Sequence, residues 1–277
     1  MDIGFAQKLI KKTQDYYGQQ AQDFSASRNR DWAIFLPLLH YIKKGDYVLD
    51  LGCGNGRLYP LVAQKGANYL GLDTSHRLLE EAKKNHPQAE FEIGDILNLP
   101  PITKSSPPVR GGVGGGGSLW KFLDPSPLPL GKGRNVFKNL RNSENLEHPP
   151  GSFDVVVLIA LLHHIPSHAL RQKALQNVAK LVKIGGFVLV TNWNLFQKRF
   201  WPLRRCYNLK KVFGKNKMDF NDLLFKGKRY YHGFTKREMA GLLQENGFQV
   251  LENYYEKDGR RTRRGEGENL VTVAEKM

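Results

Sequence analysis

The chain has 277 residues, 40% of them apolar, and 42 Lys and Arg against 26 Asp and Glu give a formal net charge of +16. That length and apolar share suffice for one globular core, and no apolar run reaches the ~20 residues needed to span a bilayer, so a membrane protein is not expected. Two cysteines argue against a disulfide scaffold, no Cys/His cluster suggests a metal site, and the start MDIGFAQKLIKK lacks a secretory apolar core, so the expected compartment is cytoplasmic.

In chain order, residues 1–45 are expected to form amino-terminal cap helices. The run Tyr47 to Leu51 is then apolar except for Asp50 and leads into GCGNGR at 52 to 57. Gly52, Gly54 and Gly56 let a turn approach a ligand with no Cβ in the way, which predicts a strand, a loop and a helix near 56–65. A second run, Tyr69 to Leu72, ends in Asp73, 23 positions after Asp50 (73 minus 50), where a strand-end carboxylate can accept hydrogen bonds from ribose hydroxyls. A dinucleotide fingerprint G-x-G-x-x-G needs glycine at position 57, where this chain has Arg57. Asp50 stands where it would repel a pyrophosphate but pair with the α-ammonium of a methionine moiety beside a sulfonium. The bland alternative is a strand-turn-helix with no ligand. The details point instead to S-adenosylmethionine.

Further predicted elements follow. Phe91 to Ile93 leads to Gly94 and Asp95; FDVVVLIALLHHI occupies 153 to 165; GGFVLVTNW occupies 185 to 193. Between them lie amphipathic stretches at 76–85 and 168–182, the latter entered through Ser167 as an N-cap. Thr235 and Glu238 form a capping box for a helix that Gly247 stops, and FQVLENYY and NLVTVAEK supply two last strands. Alternating strands and helices predict an α/β, doubly wound, mostly parallel seven-stranded sheet with a closing antiparallel hairpin strand. Residues 102–150 interrupt this order: six of the seven positions 111–117 are glycine, and so little surface can be buried that disorder is the expectation.

This order of signals resembles the class I S-adenosylmethionine-dependent methyltransferases over almost the whole chain. The resemblance implies cofactor contacts from Asp50, Gly52, Cys53, Gly54, Asn55 and Gly56, from Asp73 with Thr74, from Asp95 with Ile96, and from Ala160, with the Ala160 to His164 segment facing the acceptor. The amino-terminal segment DYYGQQAQDFSASRNRDW, with Phe24, Ser25, Arg28 and Trp32, and the segment KRYYHGF, with Tyr230, Tyr231, His232 and Phe234, resemble the tRNA methyltransferases that esterify 5-carboxymethyluridine at the wobble position. In the eukaryotic members a small zinc-containing subunit is the partner. Arg28 is the candidate clamp for a substrate carboxylate, or a surface arginine near a helix. His163 and His164 are the candidate catalytic pair at the end of the fourth strand, one to orient the acceptor or shuttle a proton, the other to pack. Trp32, Trp193, Tyr231 and His232 are candidate substrate-wall residues; Tyr231 and His232 alternatively cover a sheet edge.

The acceptor is narrowed by elimination. Amino-directed nucleic acid methyltransferases carry N/D-P-P-Y where this chain has ALLHH, and carbon-5 chemistry needs a cysteine nucleophile, whereas Cys53 lies inside the turn and Cys206 in a basic insertion. A carboxylate acceptor needs neither device. Residues 198 to 237 hold thirteen Lys or Arg against two Asp, interleaved with Trp201, Tyr207, Phe213, Phe220 and Phe225, and Trp193, Phe196 and Phe200 flank or open that run. This marks 194–234 as a basic aromatic recognition insertion suited to phosphates and unpaired bases, or a lid over a small acidic substrate. Three functions remain in view: a tRNA methyltransferase, a small-molecule O- or C-methyltransferase, and an RNA-binding protein without catalysis.

Overall fold

The computed structural model describes residues 1–20, 33–99 and 151–277. The insertion at 102–150 and the amino-terminal Phe24, Ser25, Arg28 and Trp32 lie outside the described residues.

The elements are α1 (Ile3–Gln19), a 3-10 helix (Ala33–Tyr41), β1 (Tyr47–Leu51), α2 (Tyr59–Gln64), β2 (Asn68–Asp73), α3 (His76–Asn85), β3 (Glu90–Ile93) and β4 (Phe153–Ile159). There follow a 3-10 turn (Leu162–His164), α4 (His168–Leu181), β5 (Val182–Trp193), α5 (Trp201–Val212), β6 (Asp222–Phe225), β7 (Arg229–His232), α6 (Lys236–Gln244), β8 (Phe248–Lys257), β9 (Arg260–Thr262) and β10 (Asn269–Lys276). The main sheet runs β3-β2-β1-β4-β5-β10-β8-β9, parallel from β3 through β5, with β10 antiparallel to both neighbours. It therefore has eight strands, one more than expected. The extra strand is β9, where Arg260 to Thr262 pairs with the free edge of β8.

Alternation along the strands divides the core into two layers. Leu49, Leu51, Leu70, Leu72, Val156 and Leu158 face α4 and α6, while Val48, Tyr69, Val155, Val157 and Leu189 face the Ala33–Tyr41 helix, α2 and α3. Helix starts follow the caps legible in the sequence. Ser167 accepts from Leu170 N–H at 3.3 Å, and Thr235 accepts from Glu238 N–H at 3.1 Å while the Glu238 carboxylate accepts from the Thr235 amide. β6 and β7 form a separate two-stranded sheet, and α1 lies against β7, tied by Thr13 Oγ1, which accepts from Tyr230 N–H at 3.1 Å.

The 194–234 segment is less open than its composition suggests. Phe196 and Phe200 are buried, and Phe200 packs with Leu195, Leu223 and Tyr231 in a satellite core, so neither ring is open to stack on a base. Trp201, Phe213 and Phe220 are the ones in solvent, at 53%, 71% and 53% exposure.

Candidate functional site

The carboxyl ends of the parallel strands converge on a cavity of about 560 Å³, the position expected for a ligand in an open α/β sheet. Its floor is Asp50 to Asn55, its sides are Asp73 to Ser75, Asp95 to Leu97 and Ile159 to Leu161, and His163, His164 and Trp193 close one end. Helix α1 roofs it through Ile10, Gln14 and Tyr17.

Each glycine of the loop has φ between 58° and 79°, in the left-handed region. At Gly56 a Cβ would stand 2.6 Å from Phe91 Cζ, so the loop cannot accept a side chain there. Asp73 organises the loop: Oδ2 accepts from Gly54 N–H at 2.9 Å and Oδ1 from Ser75 N–H at 2.8 Å. Each oxygen keeps a second lone pair for a ribose hydroxyl. Burial raises the pKa of this carboxyl, and the amides of Ser75, Gly54 and Thr74 pull the other way.

Asp50 is 2% exposed. Its Oδ2 accepts from Tyr69 O–H at 2.8 Å, while Oδ1, also buried, has no hydrogen-bond partner among the described residues. Burial pushes its pKa up to about 7, the nearby Asp73 adds to this, and the Tyr69 hydrogen bond and Arg57 oppose it. A buried carboxylate with one oxygen unsatisfied is costly without a cationic donor, and the α-ammonium of the expected sulfonium nucleoside fits that need. Tyr69 was not anticipated. It reaches Asp50 because β2 lies beside β1 in parallel register, with Asp50 opposite Gly71; a Cβ at Gly71 would lie 2.7 Å from Phe91 Cδ1 and 2.9 Å from Cys53 Sγ, so a side chain is not accommodated there.

Asp95 Oδ1 accepts from Leu97 N–H at 2.9 Å and Oδ2 from Asn98 Nδ2 at 3.0 Å, which sets the loop after β3 with Ile96 as an apolar wall. Ala160 ends β4 at φ 53°, a strained value for a residue with a Cβ, and its N–H donates to the Thr191 carbonyl at 2.9 Å. Thr74, Asn55 and Ala160 all line the cavity. Cys53 is buried and its thiol pKa is raised well above normal by burial, then by Asp50 and Asp73, so it is no nucleophile.

The two histidines are committed differently. His163 Nδ1 accepts from Trp193 N–H at 3.2 Å, so Nε2 carries the ring proton. His164 Nδ1 donates to the Tyr230 carbonyl at 2.9 Å, and Nε2 accepts from Tyr17 O–H at 2.9 Å, strapping α1 and β7 to the turn after β4. Tyr231 stacks on Trp193 (5.2 Å, 14°) and on His163 (5.2 Å, 23°), behind the cavity wall. His232 lies elsewhere: it is 2% exposed, absent from the cavity wall, and held by Asp222 Oδ1 and Glu238 Oε1, each at 2.6 Å. Arg229, also not anticipated, has its guanidinium 4.7 Å from the Tyr16 ring, 5.3 Å from Phe225 and 5.6 Å from Tyr231, with no carboxylate partner among the described residues.

Among the described residues there is no cluster of metal-ligating side chains, and no helix is long and apolar enough to cross a membrane. A family profile described as "Methyltransferase domain" matches residues 24–253. A protein of Encephalitozoon cuniculi, whose name proposes methyltransferase activity and states no acceptor, is 25% identical over 92% of this chain and 94% of its own length. A tRNA (carboxymethyluridine(34)-5-O)-methyltransferase of Schizosaccharomyces pombe is 24% identical over 93% of this chain and 96% of its own. Among solved structures, a SAM-dependent methyltransferase of Methanosarcina mazei superposes with a TM-score of 0.60 at 18% identity, covering 88% of this chain and 98% of that one. The methyltransferase subunit of a Haloferax volcanii complex with the Trm112 activator gives 0.57 at 17% identity, covering 95% and 96%.

Proposed function

Because the chain belongs to the class I S-adenosylmethionine-dependent methyltransferases, we propose that it transfers the cofactor's methyl to a carboxylate on tRNA, forming the methyl ester of a wobble-uridine carboxymethyl group. Bound S-adenosylmethionine supplies an electrophilic methyl on a positively charged sulfur. Asp50 would hold the ammonium, Asp73 the ribose, and Asp95 with Ile96 the adenine.

The observation that carries the acceptor class is the commitment of both histidines. His164 has each nitrogen engaged and His163 presents a proton, so neither offers a lone pair as general base. A hydroxyl acceptor needs such a base, whereas a carboxylate is ionised at neutral pH and needs only placement. Trp193 and His163, backed by the stacked Tyr231 ring, provide a wall for a planar base, and Arg229 is a cation behind Tyr231 with no carboxylate partner among the described residues. The S. pombe relative, matched over nearly its full length, and the basic 194–234 segment support RNA as the carrier of that carboxylate. Arg28 and Trp32 keep their proposed acceptor roles on the resemblance alone. A small activator subunit remains part of the proposal, supported by the Haloferax neighbour's complex.

The test is nucleoside mass spectrometry of tRNA after incubation with methyl-labelled S-adenosylmethionine. We expect label on a carboxymethyluridine, released as methanol by mild alkali. Alkali-stable label in the RNA would exclude the ester, and turnover on small acids without RNA would favour a small-molecule enzyme.

The Asp50 carboxyl, at about 7, also sets a pH dependence. A bound ammonium favours the ionised form, so below pH 7 binding must expel a proton. Affinity for S-adenosylhomocysteine should rise by up to about tenfold per pH unit from pH 5 to 7 and then flatten. Calorimetry in buffers of different ionisation enthalpy reads that proton directly, and a flat profile would reject the role.

A further inference from the structure

The loop after β5 carries an arrangement that the cofactor site does not use. Asn194, fully buried, donates through Nδ2 to the carbonyls of Arg264 (2.6 Å) and Gly267 (2.7 Å), and its own N–H donates to the Glu268 carbonyl at 2.9 Å. Gln197 Nε2 donates to Asn194 O at 2.8 Å. The turn between β9 and β10 is thus latched onto the segment that directly follows Trp193 of the cavity wall. This brings Arg264 to Phe196, with Cζ 3.7 Å from the ring centroid, while α5 brings Arg204 Cζ to 4.1 Å from the same ring.

Two guanidiniums are therefore held on one phenyl ring by elements far apart in sequence. Neither has a carboxylate within 4.0 Å among the described residues, and Arg204 Nε is buried with no hydrogen-bond partner there. Burial, then repulsion from Arg264, lowers the Arg204 pKa. The polar neighbours do not compensate: Arg204 Nη1 donates only to Asn221 Oδ1 at 3.5 Å, and the adjacent Glu268 is turned to Lys257 at 3.5 Å. Like charges fixed together without a counter-ion are unfavourable unless anions join them, and each guanidinium fork matches the oxygens of a phosphate.

The geometry points to a phosphate-binding site formed by Arg204 and Arg264 on the Phe196 ring, its ligand two consecutive backbone phosphodiesters of the RNA acceptor. The assignment to RNA rests on the proposed function; the oxyanion site itself does not. The two cations take neighbouring phosphates of the strand, one each, and fix the register in which a nucleotide enters.

Arg204→Gln, Arg264→Gln and the double variant test it, with anisotropy of a labelled tRNA anticodon stem-loop followed against salt. Each single variant should weaken binding severalfold and reduce the slope of log affinity against log salt by about 1, the double by about 2, with S-adenosylhomocysteine affinity unchanged and melting temperature unchanged or raised. A second arm measures thermal stabilisation by inorganic phosphate, expected for the wild type and lost in the double variant. Phosphate stabilisation lost in the variants, with the RNA slope unchanged, supports the oxyanion site but gives it to free phosphate. A wild type that binds no RNA yet responds to phosphate sinks the tRNA reading and keeps the site. An unchanged salt slope together with an unchanged phosphate response overturns the site.

Discussion

Asp50→Asn is expected to weaken S-adenosylhomocysteine binding by at least about 30-fold, the low end of what losing one partner of a buried charged pair costs, and to remove methyl transfer with it. The same substitution should leave the melting temperature unchanged or raise it at pH 8. Both halves come from one carboxylate. Its Oδ1 is buried with no hydrogen-bond partner among the described residues, so none of them compensates its charge and a cationic ligand is expected to do so. Its folded pKa, raised to about 7 from 3.8, means that the native state holds a proton which the unfolded chain releases between those values. Stability from this group therefore falls as pH rises from about 4 to 7, by on the order of 4 kcal/mol at most, and the cost is fully present above 7. Asparagine keeps an oxygen for the Tyr69 hydroxyl and carries no charge. A variant that unfolds at pH 8, or binds the cofactor product normally, contradicts this account.

The second large effect concerns stability. His232→Gln should cost about 3–5 kcal/mol, the range for breaking a buried ion pair, with S-adenosylhomocysteine affinity of the folded protein unchanged. Both ring nitrogens face carboxylates at 2.6 Å, so the ring is an imidazolium, and Asp222 is fully buried beside it. Burial and the nearby Arg171 push the His232 pKa down, but hydrogen bonds to Asp222 and Glu238 outweigh them and the net displacement is upward. For Glu238 burial acts upward, yet His232 and Arg171 leave it below its usual value. The histidine contribution is therefore complete below 6.5 and lost as pH rises through the raised value. The Glu238 contribution is complete above 4.5 and lost as pH falls through the depressed one. Denaturant unfolding of both proteins should show the widest gap between about pH 4.5 and 6.5. A cost below about 1 kcal/mol, with methyl transfer impaired, would return His232 to the substrate wall.

The contrast between these two residues shows where sequence reading succeeds. The strand-end positions of Asp50, the three loop glycines, Asp73 and Asp95 were legible because a strand-end loop is a local device: spacing along a few residues dictates its backbone. The caps at Ser167 and Thr235 were legible for the same reason. Its short segment leaves His232 open to a substrate wall or to covering a sheet edge, and its environment is made by Asp222 on the neighbouring strand and Glu238 on the next helix. Tyr69 escaped notice because its task depends on β2 lying beside β1 in parallel register, which no spacing within β2 reveals.

By itself, then, the sequence determined the doubly wound architecture, the cofactor and the family, since hydrophobic period, glycine placement and strand-end acids act over a few residues at a time. Tertiary structure alone decided which histidine nitrogens hold protons, which aromatic rings of the basic segment are buried, that α1 roofs the cavity, and that Arg204 and Arg264 share Phe196. Those outcomes depend on hydrogen bonds and ring contacts between segments up to about two hundred residues apart, as with Thr13 and Tyr230, and their energies are set by burial that only the packed sheet creates.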